Sequence, residues 1–441
     1  MTDSSDHSPK TKVPKKTRDT RHAVNASLKR RYLFERCFRG AGLLAVGFGL
    51  LCLTLLLIDI ISRGQGAFFH TRLQLTVDFS PSSFVSESSS PRDTISTLDY
   101  EALYLESIYA QFPQVQNPES RRALRALFSP LGAYDIRDQL KGRPTWLGSQ
   151  KTLWVTASSD TNQFYRSKSA QQLPEDERRI TDQQAGWISD LVAAKQIKRG
   201  WNRHLFSSGD SRQPEMSGVA SAVIGSLLTM IVTFVLSFPI GIAAAIYLEE
   251  YAPTNRFTDI IEVNINNLAA VPPIIFGLLG LALFINTFGL PRSAPLVAGL
   301  VLTLMTLPTI IITSRAAIKT VPRSLREAAL GMGASRMQMV FHHILPLAMP
   351  GMLTGAIIGM AQALGEAAPL LLIGMVAFTV DAPNGIMDTA TALPVQIFQW
   401  ADSPESAFLE RASAAIIVLL IFLISMNLFA VWLRKRLEQR W

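Results

Sequence analysis

Six stretches of this chain are apolar for long enough to cross a bilayer, and the polar segments between them differ greatly in length. They run over Ala41–Ile58, Val219–Leu248, Leu268–Ile285, Leu296–Ile312, Met352–Ala377 and Ala412–Leu433. A hydrocarbon core about 30 Å thick takes about 20 helical residues, so each stretch predicts one spanning helix. Pro239 and Pro308 fall inside two of them, which membrane helices tolerate. Pro272-Pro273 predicts a kink in the third helix, with carbonyls freed toward a cavity. Residues 1–40 are rich in Ser, Thr and Lys with no apolar period, and predict a disordered basic tail ahead of a first span over residues 41–61. Residues 63–217 are polar, with Ser/Pro-rich patches such as Ser80–Pro91. Helical spacing over Tyr100–Ala110 and Ser120–Phe128, and a strand over Thr152–Ala157, predict a small mixed α/β domain there. Residues 218–441 hold the other five spans.

Composition agrees with this pattern. Of 441 residues, 48% are hydrophobic and only 17% charged, against about 25% charged in soluble domains. The net charge of +8 is explained by its distribution and does not call for a nucleic-acid partner. Eleven Lys/Arg precede Gly40 against four acids, a basic segment suited to the membrane lipid surface. Placing both termini on one side puts 21 Lys/Arg in the short segments of that side and only Arg292 and Arg411 in the short loops opposite. The positive-inside rule then makes both termini cytoplasmic and the 63–217 domain extracytoplasmic. The first apolar run is too long and uninterrupted for a cleaved leader. The two cysteines, Cys37 and Cys52, lie in or beside that run, so no disulfide framework is expected in the polar domain.

The segment between the fourth and fifth spans, residues 321–346, is unlike an ordinary connector. Ser324 followed by Glu327 reads as a capping box, predicting a helix from Leu325. Gly331 and Gly333 can end it in a left-handed cap. Ser335 and Gln338 form a second capping box, and Pro346 is expected to stop the second helix before the membrane.

This loop resembles the membrane subunits of binding-protein-dependent ABC importers. Their signature is Glu-Ala-Ala, three residues, Gly, nine residues, Ile, one residue, Leu-Pro. Glu327, Ala328, Ala329, Gly333, Leu345 and Pro346 fall on that spacing, while His343 stands where the signature has Ile. The resemblance sharpens to the A-type (PstA-type) permeases of phosphate-specific importers through Asn264-Ile-Asn-Asn-Leu-Ala-Ala-Val-Pro-Pro-Ile-Ile-Phe-Gly277, Thr306-Leu-Pro-Thr309 and Met360-Ala-Gln-Ala-Leu-Gly-Glu-Ala-Ala-Pro-Leu370, and covers approximately Val219 to Trp441. It implies an all-α polytopic membrane protein with six helices of the type I importer-permease fold, to which the α/β domain is added. It further implies a coupling loop docked on an ATPase, a homologous partner permease (PstC-type), two copies of an ATP-binding subunit (PstB-type), an extracytoplasmic phosphate-binding protein, and a bacterial inner (plasma) membrane location.

Polar residues inside the spans are costly and are candidates for the translocation pathway. Gln362 and Glu366, four apart, are expected on one face of the fifth helix. A carboxylate repels phosphate, so Glu366 is expected to pair across the dimer interface with a cation of the partner permease. Asn264, Asn266 and Asn267 either line the cytoplasmic mouth or bond between helices, the second being favoured. Arg315 either attracts an exiting anion or simply anchors the inside end of the fourth span, the anchor being favoured. No G-x-x-x-x-G-K-[ST] cradle, H-E-x-x-H pair, Cys/His cluster or G-x-S-x-G elbow occurs. The chain is therefore read as a transport subunit without its own ATP site, catalytic residues, metal or cofactor. A permease for sulfate or molybdate, and a membrane-anchored sensor using the outer domain, are the alternatives.

Overall fold

The computed structural model of the chain describes residues 16–80, 95, 98–167, 171–376 and 378–437. Most of the Ser80–Pro91 patch and the first fifteen residues lie outside them. Two units are distinguished, residues 1–59 and residues 60–441. The first unit is helical throughout its described part, because α1 runs unbroken over Lys16–Gly64. The tail expected to be disordered up to Gly40 is therefore helical from Lys16 onward. Its Arg and Lys are good helix formers, and no Gly or Pro interrupts Lys16–Arg39.

The second unit opens with the inserted α/β domain. Strand β1 (Phe69–Asp78) is the centre of a three-stranded antiparallel sheet, flanked by β2 (Gln150–Thr156) and β3 (Ile197–Trp201). Leu73, Leu75 and Val77 alternate along β1 into a closed core. Helices α2 (Tyr100–Gln111), α3 (Pro118–Arg125), α4 (Leu131–Gly142), α5 (Ser159–Arg166) and α6 (Asp182–Ala193) contribute Ile108, Leu124, Ile136, Leu140, Phe164 and Ile188 to the same core. The predicted helices over Tyr100–Ala110 and Ser120–Phe128 and the strand over Thr152–Ala157 thus correspond to α2, α3 and β2.

Helix α7 (His204–Ser207) leads into the membrane part. Helix α8 (Ala220–Ile246) ends in a wider π-helical turn, Tyr247–Tyr251. The third apolar run is a bent pair: α9 (Arg256–Ala269) and α10 (Pro273–Gly280, extended by a π-helical turn to Thr287) meet at 100°. Pro272-Pro273 sits at the break, where the missing amide hydrogens cannot continue the α-helical ladder. Helix α11 (Pro295–Lys319) is one unbroken span with Pro308 inside it. The loop helices α12 (Arg323–Gly331) and α13 (Arg336–Met339) follow, then α14 (Leu345–Gly365), α15 (Ala368–Leu372), α16 (Leu393–Ala401) and α17 (Ser406–Leu437). Among the described residues, five helices are long and apolar enough to span, or six with the bent pair counted as one. Small residues let the spans approach closely: at Gly277 a Cβ would lie 2.7 Å from the Pro369 backbone, so α10 and α15 touch main chain to main chain.

The inserted domain is keyed to the span ends beside it. Arg166 of α5 pairs with Glu410 of α17 at 2.5 Å, and Ser406 Oγ donates to Gln163 Oε1 at 2.9 Å. Trp400 Nε1 donates to Asp210 Oδ1 at 3.1 Å, and buried Arg411 donates to the carbonyl of Ser217. A cavity of about 30 Å³ lies in this joint, lined by His70, Asn162, Glu215, Glu410 and Arg411. His70 is buried, and its Nε2 accepts from Arg72 Nε at 2.9 Å. The hydrogen therefore sits on Nδ1, which has no hydrogen-bond partner among the described residues. Burial first, then the positive Arg72, lowers the His70 pKa to about 4, while Asp135 opposes the shift.

That shift fixes a pH dependence. Folded His70 stays neutral down to pH about 4, whereas the unfolded chain takes up the proton near its ordinary value of 6.5. Between those limits the unfolded state binds more protons, so stability falls as pH falls, by up to about 1.4 kcal/mol per pH unit. Thermal midpoints measured from pH 7 to pH 4 are expected to drop more steeply for the wild type than for His70→Gln; parallel curves would contradict the assignment.

Candidate functional site

The loop between α11 and α14 is where sequence signature and structural features coincide. Val321-Pro322 starts it. Pro322 occupies the N-cap of α12 with extended backbone (φ −59°, ψ 141°), so the helix begins at Arg323 and Ser324 already lies in its first turn. The Ser324–Glu327 capping box is consequently not formed; Ser324 is two residues past the cap, and Glu327 points outward, exposed. The second box forms as expected, with Gln338 N donating to Ser335 Oγ and Ser335 N to Gln338 Oε1. Gly333 stands at φ +85°, a left-handed conformation that glycine adopts without steric cost.

Pro346 does not stop the chain's helix. Arg336–Gly365 is one continuous helical run, because Val340–Ile344 widens into a π-helical turn immediately before Leu345 and Pro346. Leu345 N reaches back five residues to Val340 O, so the register shifts by one residue there and the proline falls in the first turn of the next α-helix, where its missing N–H is tolerated.

The loop is held from inside by apolar packing and by one arginine. Ala329 is buried with Ile318, Val321, Met339, Val340 and Ile344, and this cluster continues to Ala245 and Ile246 at the end of α8. Ala328 and Glu327 face out, so of the two alanines of the signature one packs inward and one is free. Arg326 donates from Nε and Nη2 to Glu250 Oε1 at 3.0 and 2.8 Å. Its Nη1 donates to Val321 O at 2.6 Å and its Nη2 also to Ile318 O at 3.0 Å, closing the carbonyl end of α11. A cation at that end is favoured by the helix dipole as well. Both side chains are largely withdrawn from solvent, Glu250 to 8% and Arg326 to 19%.

Beside this pair, Arg315 lies between Glu262 of α9 at 2.5 Å and Glu249 at 3.5 Å, and Lys319 reaches Glu249 at 3.6 Å. Three carboxylates and three cations thus bind α8, α9, α11 and α12 at one end of the bundle. The widened turn Tyr247–Tyr251 lets consecutive Glu249 and Glu250 serve different cations. Arg315 is therefore an anchoring residue held in a network, not a free charge awaiting an anion. The pairing was not visible in sequence, since Glu250 and Arg326 are 76 residues apart.

The opposite side of the loop is apolar and uncovered. Met332, between Gly331 and Gly333, is 78% exposed and Met337 65%, with Leu325, Leu330 and Phe341 also outward. Exposed methionines at such density suit an adaptable protein-docking surface.

Within the spans, the expected common face of Gln362 and Glu366 is not present. α14 ends at Gly365, and Glu366 is its C-cap with extended backbone (φ −87°, ψ 113°), where Gly365 and the following Pro369 interrupt the helix. Gln362 is exposed on the last turn and Glu366 half-buried in the break before α15. A carboxylate at the negative end of a helix is unfavourable without a cation, and among the described residues none pairs with it. Asn264 and Asn267 are exposed on α9; Asn264 donates to Ile260 O, one turn back on its own helix, rather than bridging to another. Leu345 and Pro346 are half-buried at the base of α14.

Comparison with known proteins agrees with this geometry. The sequence profile of the binding-protein-dependent transport system inner membrane component family matches residues 237–441. Phosphate transport system permease protein PstA 1 of Mycobacterium tuberculosis (strain CDC 1551 / Oshkosh) is 33% identical over 254 residues, 56% of this chain and 82% of that protein. The chain belongs to the binding-protein-dependent transport system inner membrane component family.

A second member, probable ABC transporter permease protein YqgI of Bacillus subtilis (strain 168), is 30% identical over 231 residues, 49% of this chain and 77% of that protein. Among solved structures, the inward-facing MetNI methionine ABC transporter matches at 21% identity and a TM-score of 0.40, covering 50% of this chain and 97% of that chain. Residues 25–175 match a domain of unknown function, DUF3333. The inserted α/β domain is thus an addition to the permease, and the chain is a multi-pass transport component.

Proposed function

We propose that this chain is one permease half of an ATP-driven importer of inorganic phosphate, standing in the bacterial inner membrane with both termini cytoplasmic. The observation that carries the reading is the loop of α12 and α13: a rigid, ion-paired base under an uncovered apolar tip. In the assembly it works with a homologous PstC-type permease, two PstB-type ATP-binding subunits and an extracytoplasmic phosphate-binding protein. Relatives named as phosphate transport permeases support the choice of anion over sulfate or molybdate.

The mechanism follows from the geometry. Met332 and Met337 enter a groove on the ATPase, with Glu327, Ala328 and Gly333 at the contact. Closure of the ATPase pair on ATP moves the loop. Because Arg326 binds Glu250 and the end of α11 together, the movement passes to α8 and α11 as a displacement of their ends rather than a flexing of the loop. Hydrolysis, carried out by the ATP-binding subunits, resets the pore inward. Gln362, Asn264 and Asn267 present polar groups on the uncovered faces of their helices and line the path, while Glu366 takes its counter-ion from the partner permease.

Radiolabelled phosphate uptake in phosphate-starved cells tests the first part. Met332→Glu is expected to reduce uptake at least tenfold with normal membrane levels, since the side chain has no packing role in the chain itself. Unchanged uptake would remove the docking role, and uptake suppressed by excess sulfate or molybdate would reassign the anion. For Glu366, replacement by Gln is expected to lower uptake markedly while Asp retains most of it; full uptake in the Gln variant would remove the ion-pair role.

A further inference from the structure

The inserted domain meets the spans beside a group of stacked rings that the transport cycle does not use. Asn202 builds it: its Nδ2 donates to Ala67 O and its backbone N–H to Phe68 O, both at 2.9 Å, while its Oδ1 accepts from Leu205 N. This staple brings Phe68, Trp201 and Phe206 together. Trp201 and Phe206 stack at 5.9 Å with planes 6° apart, and Phe68 lies 6.2 Å from the first and 5.9 Å from the second. The stack is not core, since Trp201 remains 50% and Phe206 44% exposed.

Its height is fixed by α7. Leu205 is fully buried with Val219 and Ala222 at the start of α8 and with Ala412 and Ala415 of α17, and Val219 N donates to Leu205 O at 2.7 Å. The rings therefore stand level with the first turn of α8 and the second and third turns of α17. Phe68 packs on the same cluster as Val223, and the exposed apolar residues Ile224, Leu227 and Ile231 continue down α8 at helical spacing. The uncovered rings are thus continuous with the lipid-facing surface of a span. The charge beside them is positive. Ile197–Gly209 carries no carboxylate, and its exposed Arg199 and Arg203 flank the rings, whereas Lys198 lies on the other face of the sheet, 3.8 Å over the Trp154 ring. The Arg199 guanidinium lies 4.3 Å over the Phe69 ring, next to Trp201.

We propose that Phe68, Trp201 and Phe206, with Arg199 and Arg203 beside them, form a ledge by which the inserted domain lies on the membrane, its rings among the headgroups and its cations on anionic phospholipid. Aromatic rings with one apolar and one wet side collect at this depth, and basic side chains near an anionic surface are attracted to its phosphates. The ledge gives the domain a second hold besides its joint to α17, so its tilt follows the bilayer. The inference rests on the membrane assignment alone and is independent of the solute carried.

Tryptophan quenching by brominated lipid tests it, on the full chain assembled with its partner subunits in lipid nanodiscs. Bromine placed high on the acyl chain is expected to quench a component that Trp201→Phe removes and to quench an added component in Phe206→Trp. Neither variant changing the quenched emission of the assembled complex would overturn the proposal, as would quenching seen only in the chain without its partner subunits, which would make the occupant a protein. In parallel, combined Arg199→Gln and Arg203→Gln is expected to cut the retention of phosphatidylglycerol relative to phosphatidylcholine several-fold; an unchanged ratio would overturn the headgroup contact.

Discussion

One guanidinium group organises the working end of this permease. Arg326 of the loop helix α12 binds the carboxylate of Glu250, 76 residues away, and two carbonyls at the nearby end of α11, so three segments share a single fixed centre. Each partner needs the others. A buried carboxylate stripped of its cation is costly, on the order of 3–5 kcal/mol, whereas exposed surface pairs contribute little. The Arg315–Glu262–Glu249–Lys319 group extends the same bracing to α9. A loop without such a base would absorb a partner's push by bending. Here the base ties the loop to the ends of α8 and α11.

The departures from regular α-helix serve that arrangement. The wide turn at Tyr247–Tyr251 presents two adjacent carboxylates to separate cations, and the one at Val340–Ile344 carries the loop into α14 across Pro346. The break at Pro272-Pro273 and the helix end at Gly365 lie where Gly277 brings α10 against Pro369. Irregular backbone at membrane depth is tolerable only where protein or a cavity covers it, which fits segments that line a path and face a second subunit. At the opposite end, the inserted domain is keyed to α17 through Arg166–Glu410 and Arg411–Ser217 and to α16 through Trp400–Asp210, so that end carries a firmly seated addition.

Much of this was legible in the sequence where the signal is local or compositional. Runs of apolar residues located the spans, the Ser335–Gln338 box located α13, the proline pair located the break, and helical and strand periods located α2, α3 and β2. The failures have a common cause. Local rules end a helix at Pro346 because they assume unbroken four-residue spacing, and they make Ser324 a cap because they do not weigh Pro322, whose fixed φ starts the helix two residues earlier. They carry the fifth span through Glu366, past a Gly-Glu-Ala-Ala-Pro segment whose backbone turns out extended at Glu366. The helical reach of Lys16–Gly40 was hidden by its polarity. What no local rule can supply is pairing at a distance: Arg326 with Glu250, Arg315 with Glu262, Arg166 with Glu410. Of the residues named by signature spacing, Glu327, Ala328 and Gly333 face outward while Ala329 packs inward; the ion pairs that fix the loop emerged only from the folded chain.

The central claim is that the Arg326–Glu250 pair transmits the ATPase movement to the spans. The most direct measurement is a charge exchange in the reconstituted complex, recording ATP hydrolysis and phosphate uptake together. Arg326→Glu and Glu250→Arg alone are predicted to leave hydrolysis running with uptake lost, and the double exchange to recover a substantial share of uptake. If the single variants transport at the wild-type ratio of phosphate to ATP, the pair is only a surface contact and the account is wrong.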